Sequence, residues 1–152
     1  MTQRILIMGL PGAGKTILAQ RVSECLQNAH KTTTWINADR VREEYMDWDF
    51  SVEGRLRQSI RMRDLADASN TDYAVCDFVC PLPEMRENFG ADWCVWVDTI
   101  PVGRYADTNA LFVPPAHCDF RITTQDAPYW SELVVDTILA KYLHVDPYLF
   151  TR

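Results

Sequence analysis

The stretch that decides the fold of this chain is Gly9-Leu10-Pro11-Gly12-Ala13-Gly14-Lys15-Thr16. It fits G-x-x-x-x-G-K-[ST], in which glycines let the backbone turn tightly and bring its N–H groups to phosphate oxygens. An apolar strand, Arg4-Ile5-Leu6-Ile7-Met8, precedes it, and an amphipathic helix over about residues 15–28 follows it. This order predicts a phosphate-binding loop (P-loop, residues 9–16), with the helix directing its positive end at the anion. A glycine-rich turn with an incidental lysine is the alternative.

The residues of the P-loop have distinct predicted roles. All eight are expected to bind the nucleotide. Lys15 would neutralise charge on the β- and γ-phosphates, which makes it a candidate catalytic residue, and the Thr16 hydroxyl would bind Mg²⁺. ATP and Mg²⁺ are therefore the expected cofactors.

The composition limits the classes of function. The chain has 152 residues, 47% of them apolar, so we expect residues 1–152 to form one domain with its own core. A net charge of −6 disfavours a long nucleic acid as partner. The apolar runs are too short to span a membrane, and the first residues lead straight into a strand, so neither a membrane nor a targeting segment is expected. Five cysteines without a C-x-x-C pair indicate a reduced, cytoplasmic protein.

The rest of the chain alternates between strand and helix patterns. We predict strands over about 31–36, 71–79, 92–97 and 120–123, and helices over about 40–46, 51–68, 84–88 and 128–143. This alternation predicts an α/β fold, a three-layer sandwich with a five-stranded parallel sheet, as in P-loop NTPases of the nucleoside-monophosphate-kinase type. Ser51 is the predicted N-cap of the helix after it. The tail is expected to pack through Tyr148, Leu149 and Phe150.

Two aspartates lie near the predicted ends of strands. Asp39 follows the second strand, and open α/β sheets bind ligands at the carboxyl ends of their strands. Asp77 lies in an apolar strand, where an acid is costly without a partner, and is a candidate for the outer shell of Mg²⁺. For Asp77 the alternative is an acid that faces solvent just past the last strand pairing.

The helix after Ser51 carries four arginines, at positions 55, 57, 61 and 63. Arg57 and Arg61 are four residues apart, so their charges repel unless an anionic group lies near both. The helix is either an anion-binding face or a solvated face with Glu53, Asp64 and Asp67 as counter-charges. The spacing alone leaves both open.

Beyond these patterns, the chain resembles the adenylyl-sulfate kinase family, small P-loop kinases that phosphorylate the ribose 3′-hydroxyl of adenosine 5′-phosphosulfate (APS). The P-loop is similar to the family's G-L-S-G-[SA]-G-K-[ST]. Asn37-Ala38-Asp39-Arg40-Val41-Arg42 resembles D-G-D-N-[IV]-R, and Phe50-Ser51 with Arg55 resembles F-S-x-x-D-R, after which Gln58 and Arg61 fall on E-N-I-R-R. Phe78-Val79-Cys80-Pro81 resembles F-I-S-P, and Phe112-Val113-Pro114-Pro115 resembles Y-E-x-P. The order and spacing of these segments together carry the resemblance.

The resemblance implies roles for the matched positions. Asp39 would lie near the acceptor hydroxyl and Mg²⁺, as a base or a metal-orienting group. Arg42 and Arg55 would hold the phosphosulfate of the acceptor. Phe50 and Phe78 would sandwich its base, with core packing as the alternative for each ring. Gln58 belongs to the same acceptor-binding set, and the implied partner is a small anionic nucleotide. A homodimer is left open.

The chain also departs from the family. Asn37, Gln58 and Ile60 stand where the family has its first aspartate, its asparagine and the first of two paired arginines. The long lid with its K-G-L-Y segment is largely missing, so residues 98–115 would be a shortened lid. Its single cation, Arg104, is predicted to fold over bound ATP and to be mobile without ligand, a solvent-facing loop arginine being the alternative.

Taken together, these features predict an ATP-dependent kinase whose acceptor is APS. A kinase of another nucleotide or a modified base is one alternative. A P-loop ATPase or nucleotide-binding module without kinase activity is the other.

Overall fold

A computed structural model of the chain describes the backbone of residues 1–143 and the side chains of residues 1–141. Its strands are β1 (Gln3–Met8), β2 (Thr33–Asn37), β3 (Tyr73–Asp77), β4 (Trp93–Val97) and β5 (Phe120–Ile122). Its helices are α1 (Lys15–Asn28), α2 (Ala38–Glu44), α3 (Val52–Ala68), α4 (Pro83–Phe89), α5 (Ala106–Leu111) and α6 (Ala127–Leu143). The predicted packing of Tyr148, Leu149 and Phe150 lies outside the described residues.

The five strands form one parallel sheet in the order β2-β3-β1-β4-β5, which confirms the predicted α/β P-loop fold. Because β1 is the central strand, the P-loop that follows it begins in the middle of the carboxyl edge. β2 and β3 end beside it, and their last residues, Asn37 and Asp77, are register partners. The strand order therefore brings these two side chains to the P-loop.

Side-chain alternation along β1 divides the core between the two faces of the sheet. Ile5 and Ile7 pack with residues of α1 and α6 on one face. Leu6 and Met8 pack with residues of α3 and α4 on the other. Successive residues of a strand point to opposite faces, so an apolar strand such as β1 needs helices on both sides. In the described part of the chain, no helix combines the length and apolarity needed to cross a bilayer.

Several elements differ from their predicted bounds in ways that affect the site. β3 ends at Asp77 rather than at residue 79, and Cys80 has a positive φ of 48°. α2 begins at Ala38 because the Asn37 side chain accepts a hydrogen bond from Arg40 N and caps the helix. The predicted cap at Ser51 is confirmed, since its Oγ accepts from Gly54 N at 3.1 Å. Helix α5 was not predicted; six residues carry too weak a periodic pattern.

Candidate active site

A cleft of about 690 Å³ opens at the carboxyl edge of the sheet. Its wall combines the P-loop, the ends of β2 and β3, the turn before α3 and the start of α5. The predicted site residues that line it are Pro11, Gly12, Gly14, Lys15, Thr16, Asp39, Arg42, Phe50, Arg55, Gln58, Asp77, Phe78 and Arg104. Within the P-loop, Gly9 and Ala13 are buried and Leu10 is half-buried, and these three residues do not line the cleft. Residues that are far apart in sequence thus meet around one space.

The P-loop has the backbone conformation that its glycines predict. Gly9, Gly12 and Gly14 have φ values of 151°, 89° and 105°. A Cβ atom at Gly9 would lie 2.5 Å from the carbonyl oxygen of Val97, so no larger residue fits there. On its outer side, the loop is held by Thr99, whose hydroxyl donates to the Ala13 carbonyl at 2.6 Å.

Lys15 lies over the loop, and its Nζ donates to the Leu10 carbonyl oxygen at 2.9 Å. Burial lowers its pKa to about 8, although the charges of Asp77 and Asp39 raise it and that of Arg104 lowers it further. An ammonium in this position gains from an anionic partner, because burial has removed most of its water.

Asp77 is only 2% exposed, and its carboxylate is held by three donors. Trp35 Nε1 donates to Oδ1 at 2.7 Å, while Asn37 Nδ2 and Thr16 Oγ1 donate to Oδ2 at 2.9 and 3.1 Å. Burial raises the pKa of Asp77, and these three hydrogen bonds oppose that rise. The carboxylate therefore faces the P-loop and not solvent, which removes the solvent-facing alternative.

The residues at this point fit a Mg²⁺ ion that arrives with a nucleotide. Among residues 1–141, no three His, Cys, Asp or Glu side chains are grouped so that they could hold a metal. Mg²⁺ rarely needs such a cage, because it keeps water ligands and uses substrate phosphates with one or two protein groups. The Thr16 hydroxyl gives its hydrogen to Asp77 and accepts a long hydrogen bond of 3.5 Å from Asn37 Nδ2, which leaves a lone pair available for a metal ion. Asp39, exposed in the first turn of α2, lines the same cleft.

The arginine face of α3 is neutralised by the turn at residues 47–51. Arg57 Nε and Arg61 Nη2 both donate to Asp47 Oδ2, at 2.8 and 3.1 Å. The anionic group near both arginines is thus Asp47, which sequence reasoning did not consider. Of the expected counter-charges, Asp64 pairs with Arg63, whereas Asp67 pairs with Arg4 of β1. Only the turn's approach to α3 in the folded chain creates the Asp47 pairs.

Arg42 and Arg55 are buried beside the cleft, with 5% and 6% of their surface exposed. Arg42 Nη1 donates to the carbonyls of Asp47 and Asp49 at 3.0 and 3.2 Å. Arg55 Nε donates to the Phe50 carbonyl at 2.8 Å, and its Nη2 to Thr108 Oγ1 at 3.0 Å. Burial lowers the pKa of both guanidinium groups. Each is therefore oriented by part of its donor set, which leaves the rest for a ligand.

The aromatic side chains of the cleft differ in exposure. Phe50 is 45% exposed, and Trp48, which the sequence analysis did not select, is 52% exposed with its ring centroid 6.3 Å from that of Phe50. Arg42 lies over the Phe50 ring at 4.4 Å. Phe78 is buried and packs edge-on against Phe89 at 5.4 Å, so it is both core and wall. The sequence signal that could have identified Trp48 is its position between two aspartates in a turn, where a large aromatic side chain is not expected to be core.

Two predicted site residues are used, at least partly, in contacts within the chain. Gln58 Nε2 donates to the Ala38 carbonyl at 3.1 Å, which joins α3 to the start of α2. Arg104 is exposed on the cleft wall, with its guanidinium 5.8 Å from the centroid of the Tyr105 ring.

The start of α5 is held against α3. Thr108 is buried and accepts a hydrogen bond from Arg55, and Asp107 lies 3.6 Å from Arg55. The 98–115 segment is thus anchored to α3 through Arg55.

The fold is similar to that of solved small-molecule kinases. The Mycobacterium tuberculosis APS kinase CysC, solved in complex with AMPPNP and APS, matches with a TM-score of 0.75 and 19% identity, over 91% of this chain and 98% of that one. A shikimate kinase from Acinetobacter baumannii in complex with shikimate matches with a TM-score of 0.63 and 17% identity, over 94% and 96%. A gluconokinase from Sinorhizobium meliloti 1021 matches with 0.64 and 13%, over 93% and 95%.

The sequence comparison is more specific than these structural matches. No curated protein sequence matches the chain significantly. The family model described as adenylylsulphate kinase, however, matches residues 1–94, from β1 through the P-loop and α3 into β4. This match covers more than half of the 152 residues and includes most of the cleft wall. The chain therefore belongs to the adenylylsulphate kinase family and is an ATP-dependent P-loop small-molecule kinase.

Proposed function

We propose that this protein transfers the γ-phosphoryl group of ATP to the 3′-hydroxyl of APS. The observation that carries the proposal is the pair of buried guanidinium groups, Arg42 and Arg55, beside the exposed Phe50 ring and on the same cleft as Lys15. Arg55 has Asp107 at 3.6 Å, whereas the hydrogen bonds of Arg42 go to backbone carbonyls, so the two cations have more positive charge than this one acid compensates. A guanidinium suits an oxyanion such as phosphosulfate. The exposed ring offers a surface for a flat base.

The donor half of the cleft would hold ATP on the P-loop. Lys15 would place its positive charge on the transferred phosphoryl group. Thr16 would ligate Mg²⁺, and Asp77 would orient that hydroxyl through the 3.1 Å hydrogen bond. When bound, Mg²⁺ supplies neutralisation of the charge on the phosphate oxygens.

Asp39 would receive or orient the proton of the acceptor hydroxyl. It lies in the first turn of α2, exposed to the cleft, and its charge acts on Lys15 across that space. In the transfer, the 3′-oxygen forms a bond to the γ-phosphorus, the bond from that phosphorus to the bridging oxygen breaks, and ADP leaves with the electron pair. The hydroxyl proton passes to the Asp39 carboxylate. Charge stabilisation by Lys15 would contribute more than proton transfer, because the transition state is largely dissociative.

A second acceptor, another nucleotide with a flat base, is favoured by two observations. The Gln58 amide donates one hydrogen to the Ala38 carbonyl and accepts from Arg61 Nη1, which leaves at most one hydrogen of its nitrogen for APS. Trp48 adds a second exposed ring beside Phe50. Both acceptors carry a planar ring and an anionic group, whereas shikimate and gluconate carry no aromatic ring to stack on these side chains.

The test is formation of 3′-phosphorylated product from APS and Mg²⁺·ATP, followed by chromatography. Arg55→Ala is expected to lower kcat/KM for APS by roughly 10–100-fold, the effect of losing a hydrogen bond to a charged group. Arg63→Ala is the matched control, since Arg63 lies on the same helix and does not line the cleft. If wild type binds ATP but forms no product at millimolar APS, the acceptor is not APS, and a panel of nucleoside monophosphates tests the second acceptor.

A further inference from the structure

The amide of Asn37, at the end of β2, and the carboxylate of Asp77, at the end of β3, both lie beside the Thr16 hydroxyl. Asn37 and Asp77 are register partners, with Asn37 Nδ2 at 2.9 Å from Asp77 Oδ2. Thr16 Oγ1 lies 3.1 Å from Asp77 Oδ2 and 3.5 Å from Asn37 Nδ2. The two side chains thus form a compact pair beside the residue expected to bind Mg²⁺.

Asn37 works in two directions. Its Nδ2 donates to Asp77, and its Oδ1 accepts from Arg40 N and so caps α2, the helix that carries Asp39. An amide can do both because it has a donor and an acceptor end. An ionised carboxylate at position 37 could cap the helix but could only repel Asp77.

From this geometry we propose that Asn37 and Asp77 are an exchangeable amide–carboxylate pair, in which Asn37 positions the single carboxylate against Thr16 and either strand can carry the acid. In this chain the acid is on β3, at position 77, and the amide is on the neighbouring strand β2, at position 37. Two carboxylates at the observed separation would repel strongly in a site with little water. Without a bound cation, the site therefore favours one acid and one amide.

The exchanged pair can satisfy the same hydrogen bonds. An amide introduced at position 77 would accept from Trp35 Nε1 through its oxygen and donate through its nitrogen to a carboxylate at position 37. That carboxylate would still accept from Arg40 N and would lie near Thr16, whose oxygen is now 3.5 Å from the Asn37 nitrogen. The single substitutions cannot do this. Asn37→Asp sets two acids against each other, and Asp77→Asn removes the charge.

The test compares Asn37→Asp, Asp77→Asn and the double variant by two measurements. One is thermal unfolding of the nucleotide-free protein, in chelator and in excess Mg²⁺. The other is the affinity for a fluorescent ADP analogue in excess Mg²⁺ and in excess chelator. Asn37→Ser is the matched control, because serine keeps an N-cap but is too short to reach Asp77. The inference rests on the Mg²⁺-nucleotide half of the proposed function and not on APS.

Asp77→Asn is expected to reduce the Mg²⁺-dependent gain in nucleotide affinity by roughly 10–100-fold, as loss of a metal's outer-shell partner does. Asn37→Asp is expected to lower the unfolding temperature in chelator by several °C, with recovery in Mg²⁺. The double variant should unfold above Asn37→Asp and regain most of the Mg²⁺-dependent affinity that Asp77→Asn loses. Asn37→Ser should lower the unfolding temperature less than Asn37→Asp does, and should reduce the Mg²⁺-dependent gain in affinity less than Asp77→Asn does.

The proposal would be overturned if the changes in unfolding temperature of the two single variants simply added in the double variant, or if the double variant were less stable than both single variants. If the affinity of wild type for the ADP analogue were the same in Mg²⁺ and in chelator, the proposed Mg²⁺ site would be contradicted. The unfolding temperatures of the variants would still test whether the two side chains are coupled. Failure to phosphorylate APS would affect neither measurement. The three ideas can therefore fail separately.

Discussion

Gly54, at the start of α3, tests how the acceptor wall is built. A Cβ atom added there would lie 2.2 Å from the Asp49 carbonyl oxygen and 2.6 Å from Asp49 Cγ. These atoms belong to the turn at residues 47–51, which presents Trp48 and Phe50 to the cleft. In an unobstructed helix, Gly→Ala would stabilise the protein by about 1 kcal/mol. At Gly54 the two effects oppose each other, and the structure decides which is larger.

The clash is expected to outweigh the gain in helix propensity. To relieve it, Asp49 must move by roughly 1 Å, since non-bonded heavy atoms prefer separations of about 3.5–4.0 Å. That movement breaks two hydrogen bonds of Asp49, from Arg42 Nη1 to its carbonyl and from Ser51 N to its Oδ1. Each contributes about 1 kcal/mol, and overpacking adds about 1 kcal/mol or more. The net loss is about 2 kcal/mol, or roughly 4–8 °C in unfolding temperature for a chain of this size.

The assay is thermal and urea unfolding of Gly54→Ala, together with KM for the acceptor. KM should rise because the turn shifts, while the affinity for ATP should change little, since the P-loop belongs to another part of the wall. Glu53→Ala is the control in the same helical turn; it is exposed and should change stability by less than about 1 kcal/mol. A Gly54→Ala protein as stable as wild type, with an unchanged KM, would refute this account of the turn.

Three further predictions concern single side chains. Lys15→Ala should slow phosphoryl transfer by roughly 10²–10³-fold with an unchanged fold by circular dichroism, and near-normal turnover would exclude Lys15 from the mechanism. The hydrogen bond from Arg57 holds the pKa of Asp47 far below its ordinary value, so its stabilisation is present above about pH 4 and lost as the pH falls further. Asp47→Asn should therefore be less stable than wild type at pH 7, with a difference that shrinks on acidification; a constant difference would contradict the pairing. Arg104→Ala should weaken ATP binding roughly 2–5-fold by titration, the size of an exposed cation–π contact, whereas equal affinities would support a solvent-facing arginine.

Local patterns in the sequence were enough to predict the framework. The P-loop is recognisable because its glycines, lysine and threonine are contiguous and lie between an apolar strand and an amphipathic helix. The parallel sheet follows from the alternation of strands and helices. Asp39 was identified as a site candidate because it follows a strand, and Asp77 because an acid in an apolar strand needs a partner. Arg42 and Arg55 were identified because the family resemblance matched their positions.

These patterns could not predict hydrogen bonds and ion pairs between residues of different helices, strands and turns. Asp47 as the shared counter-ion of Arg57 and Arg61 depends on how the turn docks on α3. The hydrogen bond from Arg55 to Thr108 depends on where helix α5, which the sequence did not predict, packs. A hydrogen bond requires approach within about 3 Å and an ion pair within about 4 Å, and periodicity along one element carries no information about its neighbour.

The same division holds at the centre of the site. The sequence predicted that an amide, Asn37, follows the second strand, that the third strand carries an acid, Asp77, and that a threonine closes the P-loop. Only the strand order, with β3 between β1 and β2, decided that these three side chains meet. The physical reason is that adjacent parallel strands place their carboxyl ends a few ångströms apart, whereas the chain separates Thr16 from Asp77 by 61 positions.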